Sequence, residues 1–348
     1  MGKQILNTLG LDIGGANIKA AHSDGRAWSR SFALWKNPDQ LVHELVALML
    51  EVGDYDRLVV TTTAELCDCF AIKREGINRI LDAVGQVAMG KPIYVWQTDG
   101  RFASVEQARE NTPLCAAANW HALATYMAQA YPDGLSLMLD TGSTTTDIIR
   151  LDQGKVAAIG LTDRQRLATG ELVYLGARRT ALMSLGPAVI FHGRPHRVMA
   201  EYFATMADVH LLLGDLHEDE DDHDTADGRS MNKRWAAARL SRMIGADLEV
   251  MTFDDVMELA QGFADIARGR IVEGIQQVLS GSIPDRIIIS GSGDYLAQAA
   301  ADMALPGVKI VRWSQRIGSD ASTAACAHAM VRLIDKGLVV PEQDAGVK

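Results

Sequence analysis

The sequence predicts an α/β protein of two lobes with a cleft between them, each lobe beginning with a three-stranded antiparallel meander. Two segments carry this prediction, LDIGGANIKAA at residues 11–21 and LDTGSTTTDII at residues 139–149. Each is typical of a strand that reaches an aspartate, turns through small residues and leaves as a second strand. A length of 348 residues is also ordinary for two domains.

The two segments match residue by residue when Asp12 is aligned with Asp140. The other matched pairs are Leu11 with Leu139, Gly14 with Gly142, and Asn17 with Thr145. Similarity of this kind within one chain indicates a repeated structural unit. A single Gly-Gly turn would be weak support for a function, since hairpins use glycine for its backbone freedom alone.

Both copies continue in the same way. The first reaches the polar turn SDGR at residues 23–26, and the second reaches DQGK at residues 152–155. Asp-Gly and Gln-Gly at such places are hairpin signals. We therefore expect a third strand after each turn, over residues 27–34 and 156–161.

Helical and strand-like segments alternate beyond the meanders, as expected of an α/β fold. Helices are predicted over residues 39–52, 113–130, 251–279 and 319–334, with another from residue 294. Buried strands are predicted over residues 58–63, 93–97, 135–140, 286–290 and 308–311. The N-terminal lobe is predicted to comprise residues 1–112 plus 312–340, and the second lobe residues 113–311.

One segment departs from the ordinary composition, the acidic loop GDLHEDEDDHDTADGR at residues 214–229. Eight of the thirteen residues from Asp215 to Asp227 are acidic. We interpret the segment as a solvated, mobile loop of the second lobe. The alternative is a metal site that includes His217 and His223, although the spacing does not match a calcium-binding loop.

Composition argues against several classes of partner. The formal net charge of -10 disfavours a nucleic-acid surface, and no uncharged stretch reaches the roughly 18 residues of a membrane span. The four cysteines form no CxxC pair or zinc pattern, which is typical of reduced thiols in the cytoplasm. The N-terminal apolar run contains Asp12, so we expect no signal peptide. The expected partners are small-molecule substrates, and a homo-oligomer is left open.

The turn residues have the chemistry of a phosphate site. A tight turn rich in glycine and hydroxyl residues exposes consecutive backbone N–H groups, which bind phosphate oxygens. An aspartate at the end of the preceding strand can hold hydrated Mg²⁺ against those oxygens. We therefore predict Asp12 and Asp140 as catalytic, magnesium-binding residues, with strand-end capping as the alternative. The predicted phosphate-binding residues are Gly14, Gly15, Asn17, Lys19, Gly142, Ser143, Thr144 and Thr145.

These turns resemble those of the ASKHA superfamily, which includes actin, heat-shock chaperone ATPases and sugar kinases and has ribonuclease H-like lobes. Residues 12–20 resemble its first phosphate loop. Residues 140–147 resemble the second, most closely that of hydantoinase and oxoprolinase subunits, and residues 113–119 lie where the connecting helix should be. The segment IIISGSG at residues 287–293 resembles the strand and turn that contact adenosine. The resemblance implies Gly291, Ser292 and Gly293 as further binding residues.

Four more segments resemble the tetrahydromethanopterin-linked one-carbon pathway proteins of the hydantoinase/oxoprolinase-like branch. They are TAELCDCF at 63–70, TGELVYLG at 169–176, TADGR at 225–229 and ASTAA at 321–325. Those proteins are similar to the methanofuran-biosynthesis synthases. The resemblance implies a transferase that joins a furanylmethyl diphosphate to the phenol of a glutamyl-tyramine or tyrosine-type acceptor, with release of pyrophosphate. It implies Mg²⁺ as cofactor, with ATP possible but not required.

The motifs leave the general base open. Glu65 and Asp68 follow a predicted buried strand, where a carboxylate could deprotonate a phenol. Acidic residues are also favoured in the first turn of a helix, but Glu65 is our catalytic candidate. The further polar residues considered, each with an ordinary structural role as the alternative, are His121, Asp147, Glu171, Arg178 and Arg179.

Two other functions fit the same predicted fold. One is an ATP-dependent small-molecule kinase or a hydantoinase/oxoprolinase-like amidohydrolase. The other is a non-enzymatic actin-like ATPase, which only the analogy of fold supports.

Overall fold

The computed structural model describes residues 6–338. These residues form fourteen strands and thirteen α-helices. The strands are β1 (Thr8–Ile13), β2 (Asn17–His22), β3 (Ala27–Ser31), β4 (Arg57–Thr62), β5 (Ile93–Trp96), β6 (Phe102–Ala103), β7 (Leu135–Thr141), β8 (Thr146–Asp152), β9 (Lys155–Val156), β10 (Leu172–Val173), β11 (Ala188–Phe191), β12 (Arg194–Arg197), β13 (Arg286–Ser290) and β14 (Lys309–Arg312). The helices are α1 (Leu41–Val52), α2 (Lys73–Val87), α3 (Val105–Glu110), α4 (Thr112–Cys115), α5 (Asn119–Ala130), α6 (Asp163–Thr169), α7 (Met206–Leu213), α8 (Lys233–Arg242), α9 (Phe253–Leu279), α10 (Asp294–Ala304), α11 (Trp313–Ile317), α12 (Ser319–Thr323) and α13 (Ala325–Leu333).

The described chain folds as two compact units. The first contains residues 6–134, 151–165 and 313–338, and the second contains residues 135–150 and 166–312. Residues 113–134 and 151–165 thus group with the first unit, whereas the sequence prediction placed them in the second lobe. The reason is that α5 packs on α13 and on β9, which both lie in the first unit. Positions 1–5 and 339–340 of the predicted first lobe lie outside the described residues, and Arg312, also predicted in that lobe, groups with the second unit.

The first unit is built on a six-stranded sheet with the order β3-β2-β1-β4-β5-β6. β1, β2 and β3 form an antiparallel meander, in which Ile13 lies opposite Ile18 and Ala21 lies opposite Ala27. β4 and β5 continue the sheet in parallel with β1, and β6 ends it in the antiparallel direction. Parallel neighbours need crossover connections, which α1 and α2 supply.

Both faces of β1 are covered, and all six of its residues are buried. Leu9, Leu11 and Ile13 pack in one apolar cluster with residues of α1. On the opposite face, α13 lies directly on the backbone of the strand. A Cβ at Gly10 would be 2.5 Å from the carbonyl oxygen of Ala327, so only glycine allows this approach. The central strand of the unit is therefore held between two helical layers.

The second unit is built on a sheet with the order β10-β8-β7-β13-β14. β7, β13 and β14 are parallel, and β10 is antiparallel to β8. The third strand predicted over residues 156–161 is present only as the short β9, which pairs Lys155 and Val156 with the end of β8. Ile159 is 77% exposed, so the segment buries too little apolar side chain to extend the sheet. Leu172 and Val173 of β10 pair with β8 instead.

The rest of the second unit packs around α9. This helix of 27 residues contacts α7, α8, α10 and the hairpin strand β11. Its N-terminus is closed by a capping box, in which Thr252 and Asp255 each accept a backbone N–H of the other. Buried side chains along most of its length belong to the apolar core of the unit.

The acidic loop is largely exposed, as expected of a solvated segment, and it is anchored at several points. Asp222 accepts a hydrogen bond from the guanidinium of Arg178 at 2.5 Å. Glu218 accepts one from the backbone N–H of Lys233 at 2.7 Å. Within residues 6–338, no group of three or more His, Cys, Asp or Glu side chains is arranged to hold a metal ion.

Two helices that were predicted as continuous are each divided. Residues 113–130 contain α4 and α5, because Ala117 adopts a left-handed backbone conformation with a φ of 47°. Residues 319–334 contain α12 and α13, which are separated at Ala324. Among the described helices, none combines the length and the apolar character that a bilayer span requires.

Candidate active site

The two aligned turns are closed by the same backbone hydrogen bond. The N–H of Gly14 donates to the carbonyl of Asn17 at 2.9 Å, and the N–H of Gly142 donates to the carbonyl of Thr145 at 2.8 Å. These are the residues that the sequence alignment paired. The repeat in the sequence is therefore a repeat in backbone geometry.

The first turn is fixed on its carbonyl side and open on its N–H side. The carbonyl of Gly15 accepts from the N–H of Leu34 at 2.9 Å, and the carbonyl of Ala16 accepts from the N–H of Phe32 at 2.9 Å. Within residues 6–338, the N–H groups of Gly15 and Ala16 meet no protein acceptor. Neighbouring free N–H groups of this kind can bind an anion.

The segment after β4 packs closely against this turn. The N–H of Thr63 donates to the carbonyl of Ile13 at 3.0 Å. A Cβ at Gly15 would be 2.8 Å from the Sγ atom of Cys67, so a side chain cannot enter there without displacing the thiol. Gly15 of the predicted phosphate loop is thus required by its contact with Cys67 as well as by the turn.

The second turn has the same arrangement with different neighbours. The carbonyl of Gly142 accepts from the N–H of Ala177 at 2.9 Å, and the carbonyl of Ser143 accepts from the N–H groups of Arg178 and Arg179. In the described part of the chain, the N–H groups of Ser143 and Thr144 have no protein acceptor. This turn therefore also offers free backbone donors, here beside hydroxyl side chains.

The Gly-Ser-Gly turn after β13 lies against the second phosphate loop. A Cβ at Gly291, whose φ is 91°, would be 2.2 Å from the carbonyl oxygen of Thr141. The N–H of Gly293 donates to the same carbonyl at 2.9 Å, and Ser292 is exposed. Packing alone requires both glycines, so their presence in the sequence does not depend on a ligand.

Asp12 and Asp140 occupy equivalent places in the two sheets. In the parallel pairing, Asp12 lies opposite Thr61 of β4, and Asp140 lies opposite Ser290 of β13. Asp12 is buried and Asp140 is half-buried. Each is a carboxylate at the end of a strand that leads into a turn with free N–H donors. This donor set fits Mg²⁺, which is usually held by one or two carboxylates, several waters and phosphate oxygens.

Lys19 is paired with Asp12 across two strands, and the hydroxyl residues lie a few positions after Asp140 in the chain. Lys19 of β2 is directly opposite Asp12 and is half-buried. Asn17 is the first residue of β2, and Thr144 and Thr145 immediately precede β8. The cation and the polar side chains predicted for phosphate binding are thus at the ends of the strands that the turns connect.

Glu65 is the buried acid near the first turn. Its side chain is 1% exposed, and burial raises the pKa of its carboxyl from an ordinary value to about 7. The segment is held by α2, because a Cβ at Gly76 would be 2.8 Å from the Cα atom of Glu65. Within residues 6–338, the Oε2 atom of Glu65 has no hydrogen-bond partner. Asp68, the other candidate base, is exposed, so the two acids differ in environment.

Most of the remaining polar candidates have protein partners in the second unit or are packed in the first. Asp147 forms an ion pair with Arg166 at 2.5 Å, and Glu171 accepts from the hydroxyl of Thr169 at 2.7 Å. His121 is buried, with its ring centroid 5.9 Å from that of Trp96. Arg178 pairs with Asp222 of the acidic loop, whereas Arg179 is exposed.

Two charged residues beside Glu65 were not among the predicted site residues. Lys73 lies 3.6 Å from Glu65 and 3.6 Å from Asp163. Lys73 begins a helix that the sequence analysis missed, and Asp163 comes from a segment far along the chain. No motif in the sequence connects the three residues.

Comparisons with known proteins agree with this architecture. Residues 56–335 match the hydantoinase/oxoprolinase family. The chain is 33% identical over 333 residues to a (4-{4-[2-(gamma-L-glutamylamino)ethyl]phenoxymethyl}furan-2-yl)methanamine synthase of Methanocaldococcus jannaschii, covering 95% of this chain and 98% of that protein. It is 32% identical over 204 residues to a synthase of the same name from Methanococcus vannielii, covering 58% of this chain and 91% of that protein.

A solved structure supports the fold. Nucleotide-free acetone carboxylase matches with a TM-score of 0.53 at 10% identity, over 94% of this chain and 70% of that one. The match and the strand order of the two sheets confirm the predicted α/β, actin-like fold class. The resemblance to the hydantoinase/oxoprolinase-like branch is confirmed as well, because the family match spans most of the chain. The protein belongs to the hydantoinase/oxoprolinase family.

Proposed function

We propose that this protein is a transferase that condenses a furanylmethyl diphosphate with the phenol of a glutamyl-tyramine or tyrosine-type acceptor, in methanofuran biosynthesis. The observation that carries the proposal is the likeness to the Methanocaldococcus jannaschii synthase over 95% of this chain. The name of that relative describes a phenoxymethyl link between a phenyl ring and a furan. Making such a link requires a bond between a phenolic oxygen and a methylene carbon.

Each of the two turns offers backbone donors to an anion, and this chemistry needs such donors. When the methylene carbon loses diphosphate, both electrons of the C–O bond leave with the phosphate oxygen. The free N–H groups of Gly15, Ala16, Ser143 and Thr144 are suited to the phosphate oxygens, and Lys19 adds a positive charge. These donors favour the leaving group more strongly as its charge develops.

Asp12 at the first turn and Asp140 at the second are the carboxylates that would hold magnesium. Magnesium held by these carboxylates would neutralise negative charge on diphosphate and so favour its departure. The proposed reaction requires no ATP, although the fold is compatible with a nucleotide. It takes place in the cytoplasm on small-molecule substrates, without a nucleic-acid or membrane partner.

Glu65 is the proposed general base. The phenolic oxygen forms the new bond to the methylene carbon, and its proton passes to the Glu65 carboxylate. A pKa of about 7 allows Glu65 to accept this proton and to release it again near neutral pH. Its burial also keeps bulk water away from the proton transfer.

The test is a defined reaction with purified protein, the furanylmethyl diphosphate, the phenol and Mg²⁺. We expect one aryl ether and one pyrophosphate per turnover, measured by mass spectrometry and a coupled phosphate assay. Asp12→Asn and Asp140→Asn should lower kcat and raise the magnesium concentration needed for half-maximal rate. Asp302→Asn, which changes an exposed acid on α10, is the matched control. A complete set of substrates that yields no ether would refute the proposal.

A second candidate is an ATP-dependent kinase or amidohydrolase. The family match and the likeness in fold to acetone carboxylase favour it. Calorimetric titration with Mg-ATP separates the two. Tight binding together with ATP-dependent turnover of a small acid or lactam would favour this second candidate, and ether formation without ATP would favour the first.

A further inference from the structure

Lys73 places one ammonium group between two carboxylates. Its Nζ atom is 3.6 Å from Oε1 of Glu65 and 3.6 Å from Oδ2 of Asp163. The three side chains differ in their access to water: Glu65 is 1% exposed, Asp163 is 27% exposed and Lys73 is 36% exposed. The cluster therefore has one buried member and two members that meet solvent.

The backbone around Glu65 is restrained on two sides. The preceding residue is fixed by a hydrogen bond from the N–H of Ala64 to the hydroxyl of Thr62 at 3.1 Å. Gly76 of α2 packs on the backbone of Glu65 from the other side. A Cβ at Gly76 would be 2.8 Å from the Cα atom of Glu65 and 2.8 Å from its carbonyl oxygen. The carboxyl of Glu65 is buried, so its charge depends on the groups around it.

The surrounding charges act in opposite directions. The Lys73 ammonium favours the ionised carboxylate of Glu65, and the Asp163 carboxylate disfavours it. Asp163 also attracts the same ammonium, which weakens its hold on Glu65. Among the described residues, a third titratable group that interacts with Glu65 is the thiol of Cys115, whose pKa burial raises to about 11. That thiol is uncharged at neutral pH, so Lys73 and Asp163 are the charges that matter.

We propose that Lys73 and Asp163 are positioning residues that set the charge of Glu65 for proton transfer. Lys73 keeps Glu65 ionised so that it can accept a proton, and Asp163 limits this effect so that the carboxylate remains basic enough to do so. The inference rests on the proposed transferase function, in which Glu65 accepts the phenolic proton. It assigns to Lys73 and Asp163 a role that acts through Glu65.

The direct test is to titrate Glu65 in the complete protein without substrate. Protein labelled with ¹³C at the glutamate carboxyls is followed by NMR across the pH range, and Glu65→Gln identifies the signal. We expect Lys73→Met to raise the titration midpoint by about 1 to 3 pH units. Asp163→Asn should lower it. Opposite shifts from two neighbouring substitutions are not expected from a general disturbance of the fold.

Two further variants control the test. Lys73→Arg keeps the positive charge and should leave the midpoint close to that of the unsubstituted protein. Lys36→Met removes a lysine elsewhere in the first unit, whose Nζ lies over the Trp35 ring, and should not move the midpoint. If Lys73→Met and Asp163→Asn leave the midpoint unchanged, or move it in the same direction, the inference is wrong.

The pH dependence of kcat/KM connects the charge to the reaction. The acidic limb should move upward in Lys73→Met and downward in Asp163→Asn, in step with the NMR midpoints. Midpoints that move while the kinetic limb stays fixed would overturn the positioning role. Absence of ether from the unsubstituted protein would instead overturn the proposed function, and the NMR titration would still report the Lys73–Asp163 effect.

Discussion

Glu65 is a carboxyl whose burial opposes its own charge. Its pKa is about 7 in the folded protein, compared with an ordinary value of 4.5. Between these two values the folded state binds more protons than the unfolded state. The free energy of unfolding therefore falls as the pH rises from about 4.5 to about 7, and it stays lower above that range. A group with this effect lowers stability at neutral pH, which is common for catalytic residues.

Glu65→Gln removes this pH dependence. Relative to the unsubstituted protein, the free energy of unfolding of the variant should rise between pH 4 and pH 8 by on the order of 3 kcal/mol. Urea denaturation at the two pH values measures this change. The same variant should lose about 100- to 10,000-fold in kcat, because it cannot accept a proton. A stability difference that does not vary with pH would contradict the assigned environment of Glu65.

Among individual residues, those in local patterns could be predicted from the sequence. Asp12, Gly14, Asp140 and Gly142 belong to one short repeated pattern, and the structure places the paired glycines in equivalent turns. The pairing of Lys73 with Glu65 and Asp163 could not be predicted. It depends on where α2 and the start of α6 lie in space, and side-chain spacing along the chain does not contain that information.

At the scale of elements, α9 contains two glycines with opposite surroundings. A Cβ at Gly262 would be 2.8 Å from the carbonyl oxygen of Ile190 in the hairpin strand β11. A Cβ at Gly269, two turns along the same helix, would meet no atom within 4 Å. The first glycine allows a close approach of two elements, and the second only loosens the helix.

Alanine at these two positions should therefore have opposite effects. Gly269→Ala should stabilise the protein by about 0.5 to 1 kcal/mol, because alanine restricts the unfolded chain and favours helix. Gly262→Ala should destabilise it by about 1 to 3 kcal/mol, because the backbone of β11 must move. Chemical denaturation of both variants measures the difference. Equal effects would show that α9 does not press on β11 at Gly262.

The prediction of elements succeeded where the apolar pattern was strong and regular. The strand over residues 286–290 was predicted with the bounds that the structure has, and α9 begins two residues later than predicted. α2 was missed because Gly76 and Gly85 interrupt its pattern. Gly76 is required there by contact with Glu65 rather than by helix formation. The division at Ala117 could not be predicted, because alanine otherwise favours helix.

For the whole molecule, the chain returns to the first unit after residue 312 to complete it. α13 packs on β1, β2, β4 and α5. The carbonyl of Leu338 accepts from the N–H of Phe102 at 2.6 Å. Segments at opposite ends of the sequence are thus parts of one core, which makes the fold of the first unit dependent on contacts of long sequence separation.

A chain that ends at Arg312 should fail to form the first unit. Loss of α13 exposes the face of β1 on which Gly10 lies. We expect rapid proteolysis within residues 6–134, measured against the full-length protein. Adding the separately produced segment 313–348 should restore protection in a concentration-dependent way. Full resistance of the shortened chain would show that α13 is dispensable.

The closure of both turns by backbone atoms has a consequence for grafting one loop onto the other. The hydrogen bond from Gly14 to Asn17 and the one from Gly142 to Thr145 involve no side chain. The backbone of each loop can therefore be closed with the residues of the other loop. Ser143→Gly and Thr144→Ala give the second loop the residues of the first, and these substitutions only remove side-chain atoms. The reverse transplant puts a serine Cβ 2.8 Å from the thiol of Cys67, and a smaller residue must then replace Cys67. The second loop can therefore be given the residues of the first more readily than the first can be given those of the second.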